Sequence, residues 1–179
     1  MATERDKHGV TLLDTFSGTE RSLEDIRISG CATMGLSRPD GGYFSCPVIS
    51  HVTGNLWQGG FLPGLKLPNE FRYVISLYPW GQWELPESCT RTEITMYDDA
   101  GGLDGEQIDD IAALVNECCE EGLTLVHCQA GLNRSGLVAA RALILRGYEP
   151  QDAIDLLRKS RCDMVLCNQS FEEWLLGAS

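Results

Sequence analysis

Val126-His127-Cys128-Gln129-Ala130-Gly131-Leu132-Asn133-Arg134-Ser135-Gly136 is the stretch that decides how this chain is read. Before it, Leu123-Thr124-Leu125-Val126 has the apolar, β-branched character of a short buried strand. After it, Leu137 to Leu145 is an apolar helical run, closed by Arg146 and the C-cap candidate Gly147. A strand, a tight loop and a helix N-terminus gather several backbone N–H groups around one point. Such a junction captures a tetrahedral oxyanion, because the orphan amides of the first turn and the helix dipole both favour negative charge.

A cysteine at the head of that loop changes the chemistry. The amides that attract phosphate also stabilise a thiolate, so Cys128 is expected to act as a nucleophile near neutral pH. Arg134, six residues on, offers a planar fork that holds two phosphoryl oxygens at once, which a lysine would not supply. Ser135 can donate a hydrogen bond to the sulfur and ease its departure from a phosphocysteine. The loop residues Gln129, Ala130, Gly131, Leu132 and Asn133 bind the phosphate beside Arg134. Gly131 and Gly136 relieve crowding in the turn and at the helix start. His127 is expected to orient the loop and tune the thiolate, or simply to fill the core behind it.

With these residues in place, the chain resembles the cysteine-based protein tyrosine phosphatase superfamily, whose shared motif is His-Cys-x5-Arg-Ser/Thr. The compact layout looks most like the dual-specificity branch, over roughly residues 54 to 176. The resemblance implies hydrolysis of phosphotyrosine monoesters, with phosphoserine and phosphothreonine as further candidates, through a phosphocysteine intermediate. It also implies an Asp that protonates the leaving oxygen, on a loop about thirty residues before the nucleophile. Asp98 fits, in Thr95-Met96-Tyr97-Asp98, although Thr95 stands where the family commonly has Pro. Asp99 is the competitor, and Asp104 reads as a helix cap. Arg161 and Asn168-Gln169-Ser170-Phe171 resemble the family's closing segment; Gln169 is a candidate to position water, Asn168 a candidate cap. Arginine and backbone dipoles do the neutralising, so no metal and no cofactor are expected.

The 179 residues suit one domain with a sizeable core plus an extension. The expected division is residues 1–50 as a partly ordered N-terminal extension, perched on the cleft or loose, and 51–179 as the catalytic domain. A net charge of −12 speaks against nucleic acid and anionic membrane as partners. Arg134, Arg141, Arg146, Arg158, Lys159 and Arg161 suggest a positive rim near the loop that would suit a phosphorylated protein substrate. No apolar window is long enough to span a membrane and no secretory signal opens the chain, so a cytoplasmic monomer is expected. Eight cysteines then read as free thiols in a reducing compartment.

The uncharged loop disfavours inositol phosphates, and the acidic body disfavours nucleic-acid 5′-phosphates; both remain alternative phosphomonoester substrates. A catalytically weak phosphate-binding module is a second class of reading. A thiol enzyme of the rhodanese or arsenate-reductase kind is a third.

Strands are expected at Asn55–Gly60, Phe71–Leu77 and Arg91–Met96, with helices from Asp104 to Gly122, from Pro150 onward and from Gln169 to Leu176. A short helix is expected over 19–26, a turn at 38–42, and Trp80 and Trp83 as aromatics that could flank a phosphotyrosine ring. Alternating strands and helices give an α/β fold: a mostly parallel sheet of four or five strands with helices on both faces.

Overall fold

The computed structural model describes residues 12–13, 20–21, 32–36, 43–81, 83–99 and 103–177. Two antiparallel pairs come first, β1 (Leu12–Leu13) with β2 (Glu20–Arg21) and β3 (Ala32–Leu36) with β4 (Tyr43–Pro47). The main sheet holds β5 (Ile49–Thr53), β6 (Leu56–Gly59), β7 (Phe71–Ser76), β8 (Thr90–Glu93) and β9 (Leu123–His127). Its order is β5-β6-β9-β7-β8, antiparallel at β5–β6 and parallel elsewhere. The helices are α1 (Gly105–Glu121), α2 (Arg134–Leu145), α3 (Pro150–Ser160) and α4 (Gln169–Gly177). The α/β class and five-stranded, mostly parallel sheet agree with expectation. Of the helix expected over 19–26, Glu20 and Arg21 pair instead as a strand. The rest of that helix and the 38–42 turn lie outside the described residues.

β9 is central because its sequence can be buried on both faces. All five of its residues are buried, and no charged side chain interrupts it. Strand periodicity then sorts its neighbours. Leu123 and Leu125 point with Trp57, Phe71 and Val74 into one apolar cluster. Val126 points with Leu56 and Ile75 into another. The second cluster contains buried apolar residues from each of the four described helices.

Among the described residues, the first contains no helical residue. Two connections cover that face, one supplying Phe61, Leu62, Leu65 and Leu67, the other Trp83, Leu85 and Cys89. They meet at a bridge between Lys66 and Glu84. Pro63 and Pro68 deny the first connection a helix, and the aromatic side chains supply the bulk that a helix would have brought.

Helix ends follow the local signals. The Asp104 side chain accepts the Gln107 N–H at 3.2 Å, and the Gly122 N–H returns to Cys118 O at 3.0 Å. Pro150 sits in the first turn of α3. α2 ends at Arg146, with Gly147 following at φ +94°. Nine residues of α2 are buried, because it packs on α1, α3, α4 and the sheet at once. This buried helix begins at Arg134, so the loop between β9 and α2 is anchored at both ends by core.

The expectation of free thiols is corrected at two cysteines. Cys46 at the end of β4 and Cys162 just past α3 form a disulfide with Cα atoms 6.2 Å apart, closing a sequence separation of 116. Cys89, Cys118, Cys119 and Cys128 are free thiols. The pair could not be read from spacing, because only the packing of α3 against β5 brings them together. Peptide mapping after alkylation without reductant should recover the linked Cys46 and Cys162 peptides. Cys46→Ser should lower unfolding stability in urea by about 2–4 kcal/mol, as expected for opening so long a loop; unchanged stability and two labelled thiols would contradict the bond.

Candidate active site

The loop from Gln129 to Asn133 is shaped by where its carbonyls are held. Gln129 O accepts the Phe61 N–H at 2.9 Å, and Leu132 O accepts that of Leu166 at 3.2 Å. Ala130 O accepts Arg161 Nη2 at 3.1 Å, and Gly131 O accepts Arg161 Nε at 2.7 Å and Gln58 Nε2 at 3.1 Å. Asn133 O accepts the Leu137 N–H at 2.7 Å, opening α2. A trans peptide points its N–H opposite to its C=O. Five successive carbonyls held outward therefore turn the amides of residues 130 to 134 toward a common hollow. The turn requires φ +75° at Gly131, where a Cβ would lie 2.4 Å from the backbone of Gly59 and Gly60.

Cys128 is buried at the base of that hollow, on the end of β9. Its Sγ accepts the Gly131 N–H at 3.3 Å and lies 3.4 Å from Ser135 Oγ. Ser135 Oγ in turn accepts Gln58 Nε2 at 3.4 Å. With that lone pair occupied, the serine proton is free to point at sulfur. Gln58, fully buried on β6, was not singled out from sequence. The available signal was an amide in an otherwise apolar strand, which needs polar partners when buried.

Arg134 is buried, and Nη1 donates to Leu77 O at 3.3 Å and Met96 O at 3.1 Å. Its guanidinium carbon lies 5.6 Å from the centroid of the Tyr78 ring. Nε is buried without an acceptor among the described residues. An unanswered cationic donor in a hollow of inward amides is the polar arrangement an oxyanion satisfies.

Arg161 lies behind the loop. Besides the two loop carbonyls it donates through Nη1 to Pro47 O at 2.6 Å and Ser50 Oγ at 3.2 Å. Burial lowers its pKa to about 10, and Cys128 pulls the other way, so the guanidinium remains charged at neutral pH. The expected positive rim is therefore corrected. Arg134 and Arg161 face inward, Arg141 pairs with Asp109, and Arg158 pairs with Glu172. These cations are held by internal partners because each is flanked by carbonyls or carboxylates of neighbouring elements.

A pocket of about 120 Å³ opens over Cys128. Gln129, Ala130, Leu132, Asn133 and Arg134 line it, with Asp98, Phe44 and Cys167. Asp98 thus comes to the hollow, whereas Asp99 is not among the lining residues. Asn133 Nδ2 and Asn168 Nδ2 donate to the two oxygens of Asp98 at 2.9 Å and 2.8 Å. Asn168 also caps α4, its Oδ1 accepting the Ser170 N–H at 3.2 Å. Gln169 points away, pairing with Glu173 at 2.8 Å; one helical position turns it off the pocket. Trp80 is 64% exposed and packs against Tyr78 and Tyr97, while Trp83 is buried on the sheet face of Leu123 and Leu125. Phe44 comes from β4, inside the expected extension, and was not anticipated.

A strand–loop–helix cradle around a buried cysteine, with an arginine closing it, is the arrangement of the cysteine-based phosphatases. The family model described as "Dual specificity phosphatase, catalytic domain" matches residues 66–179. The chain belongs to that family. The dual specificity protein phosphatase OPG106 of vaccinia virus (strain Western Reserve) is 29% identical over 107 residues, covering 57% of this chain and 62% of the viral protein. The chain thus spans less than two thirds of that relative. The protein tyrosine phosphatase type IVA 3 of Bos taurus is 35% identical over 68 residues, 36% of this chain and 39% of its own. In fold, the chain is similar to human DUSP28, with a TM-score of 0.62 at 16% identity, covering 73% of this chain and 92% of the other.

His127 is buried between Phe61 and Trp83, and its Nδ1 lies 3.3 Å from Cys128 O. Burial above all, and then the charges of Arg91 and Arg134, lower its pKa from 6.5 to about 4. The ring is neutral at pH 7 and adds no positive charge to the loop. Between these two values the unfolded chain binds a proton that the folded one refuses. Stability from this group is therefore complete above pH 6.5 and is lost as pH falls through about 4. Over that window wild type should lose roughly 3 kcal/mol more than His127→Gln in urea titrations; parallel pH profiles for the two would contradict the assignment.

Proposed function

We propose that this chain is a protein phosphatase that hydrolyses phosphotyrosine monoesters, with serine and threonine esters as further substrates, through a phosphocysteine intermediate. The observation that carries the reading is the hollow itself: inward amides of residues 130 to 134, the unanswered Nε of Arg134, and the Cys128 sulfur at the centre. These are the donors a PO3 group in flight requires.

In the proposed reaction the Cys128 thiolate attacks phosphorus in line while Arg134 and the loop amides hold the equatorial oxygens. The S–P bond forms as the ester P–O bond breaks, and Asp98 gives its proton to the leaving oxygen. Water then attacks the phosphocysteine, Asp98 takes the water's proton, and the S–P bond breaks to release phosphate. Ser135, pointed at sulfur through its contact with Gln58, stabilises the departing thiolate. Gln129, Ala130, Gly131, Leu132 and Asn133 supply the phosphate-binding backbone.

The substrate is proposed to be a phosphorylated protein side chain, since the pocket wall of Phe44, Leu132 and Cys167 is apolar and, among the described residues, carries no second cation for a polyphosphate. No helix among the described residues is long and apolar enough to cross a membrane. We further propose that the chain acts as a cytoplasmic monomer; Cys46, 1% exposed, is shielded from thiol reductants there. The division into an extension over 1–50 and a catalytic domain over 51–179 is part of the same proposal, with Phe44 lent by the extension to the pocket.

Turnover of an aryl phosphate and of a phosphotyrosine peptide tests the reading. Cys128→Ser should abolish both, and Arg134→Lys should lower kcat by about 10²-fold or more. Asp98→Asn should lower turnover of the peptide about 10²-fold and flatten the alkaline limb of its rate profile. Full activity in Cys128→Ser would end the proposal; an untouched limb in Asp98→Asn with its loss in Asp99→Asn would move the acid by one residue.

A further inference from the structure

We infer that Asn133 and Asn168 are positioning residues that clamp the Asp98 carboxyl group over Cys128. The inference rests on the reading of Asp98 as the proton donor and goes beyond it by assigning what holds that donor in place.

Asp98 needs such a hold. It is exposed, and it lies past the end of β8 on a stretch of chain without regular structure. The backbone two residues earlier is pinned where Met96 O accepts Arg134 Nη1 at 3.1 Å. That contact fixes the approach of the loop but leaves the Asp98 side chain free to rotate. The two amides remove that freedom by engaging both carboxylate oxygens, at 2.9 Å and 2.8 Å.

The orientation of each amide is imposed from behind, by partners that only an oxygen can satisfy. Asn133 Oδ1 accepts the Asn168 N–H at 3.0 Å and the Cys167 thiol at 3.3 Å. Asn168 Oδ1 accepts the Ser170 N–H at 3.2 Å as the cap of α4. A backbone N–H cannot face an NH2 group, so both NH2 groups must turn to Asp98. Asn133 rides on the N-terminus of α2 and Asn168 on that of α4, both rooted in the core. The clamp therefore transmits the rigidity of two buried helices to a side chain on an otherwise unsupported loop. Each carboxyl oxygen keeps one lone pair outside the clamp, enough to carry the transferred proton.

A misplaced acid matters in proportion to how much the leaving group needs a proton. The test compares kcat for a nitrophenyl phosphate, whose leaving group departs readily, with kcat for phosphotyrosine, whose leaving group does not. Asn168→Ser keeps an oxygen to cap α4 but cannot reach Asp98. In Asn168→Ser and in Asn133→Ala, the phosphotyrosine-to-nitrophenyl ratio of kcat should fall by about five- to tenfold, with the double variant approaching Asp98→Asn. Thermal unfolding of Asn168→Ser should stay near that of wild type, which separates the clamp from a folding role. A wild-type ratio in both variants, while Asp98→Asn lowers it, would overturn the clamp and leave the acid assignment standing. A wild-type ratio in Asp98→Asn as well would remove the acid assignment and the clamp with it.

Discussion

The site depends on five carbonyls, Gln129 to Asn133, held outward by donors from several parts of the chain. Left alone, a five-residue loop would scatter its carbonyls and amides on both sides, and an anion would meet as much negative as positive charge. Here the donors come from the segment after β6, from the β6 strand itself, from the end of α3, from the α3–α4 connection and from α2. Much of the molecule is thereby committed to one consequence, a concave row of N–H groups. Gly131 is the residue at which the backbone must turn into the left-handed region, and the neighbouring strand end leaves no room for a side chain.

Charge is placed by the same logic. Two buried guanidinium groups flank the loop, Arg134 within the hollow and Arg161 behind it, and backbone carbonyls of the described residues accept from both. A carbonyl orients a cation while leaving in place most of the field that an arriving phosphate meets. His127 stays neutral, which confines the positive charge to the two arginines and the amides. The acidic exterior is compatible with this because the cations are interior, beneath the surface that carries the net charge of −12.

The local parts of this design were legible in the sequence. The strand at Leu123, the loop, the helix at Arg134, the caps at Asp104 and Asn168 and the Pro150 start all follow from short-range patterns, and the structure has each of them. What escaped was set by long-range packing. Gln58 lies 73 residues from the carbonyl it serves, and Cys46 lies 116 residues from its partner. Gln169 and Asn168 differ by one helical position, a distinction that only the placement of α4 decides. The positive rim failed because counting cations along a sequence says nothing about which carbonyls and carboxylates fold around them.

The central claim is that the amides of residues 130 to 134 converge on one bound oxyanion. Titration of inorganic phosphate into isotopically labelled protein, followed by amide NMR, measures this directly. The account predicts that the signals of Ala130, Gly131, Leu132, Asn133 and Arg134 move together and saturate with a single affinity, along with Arg134 Nε. Shifts spread over the exposed cations Arg146 and Lys159 while those five amides stay still would contradict it.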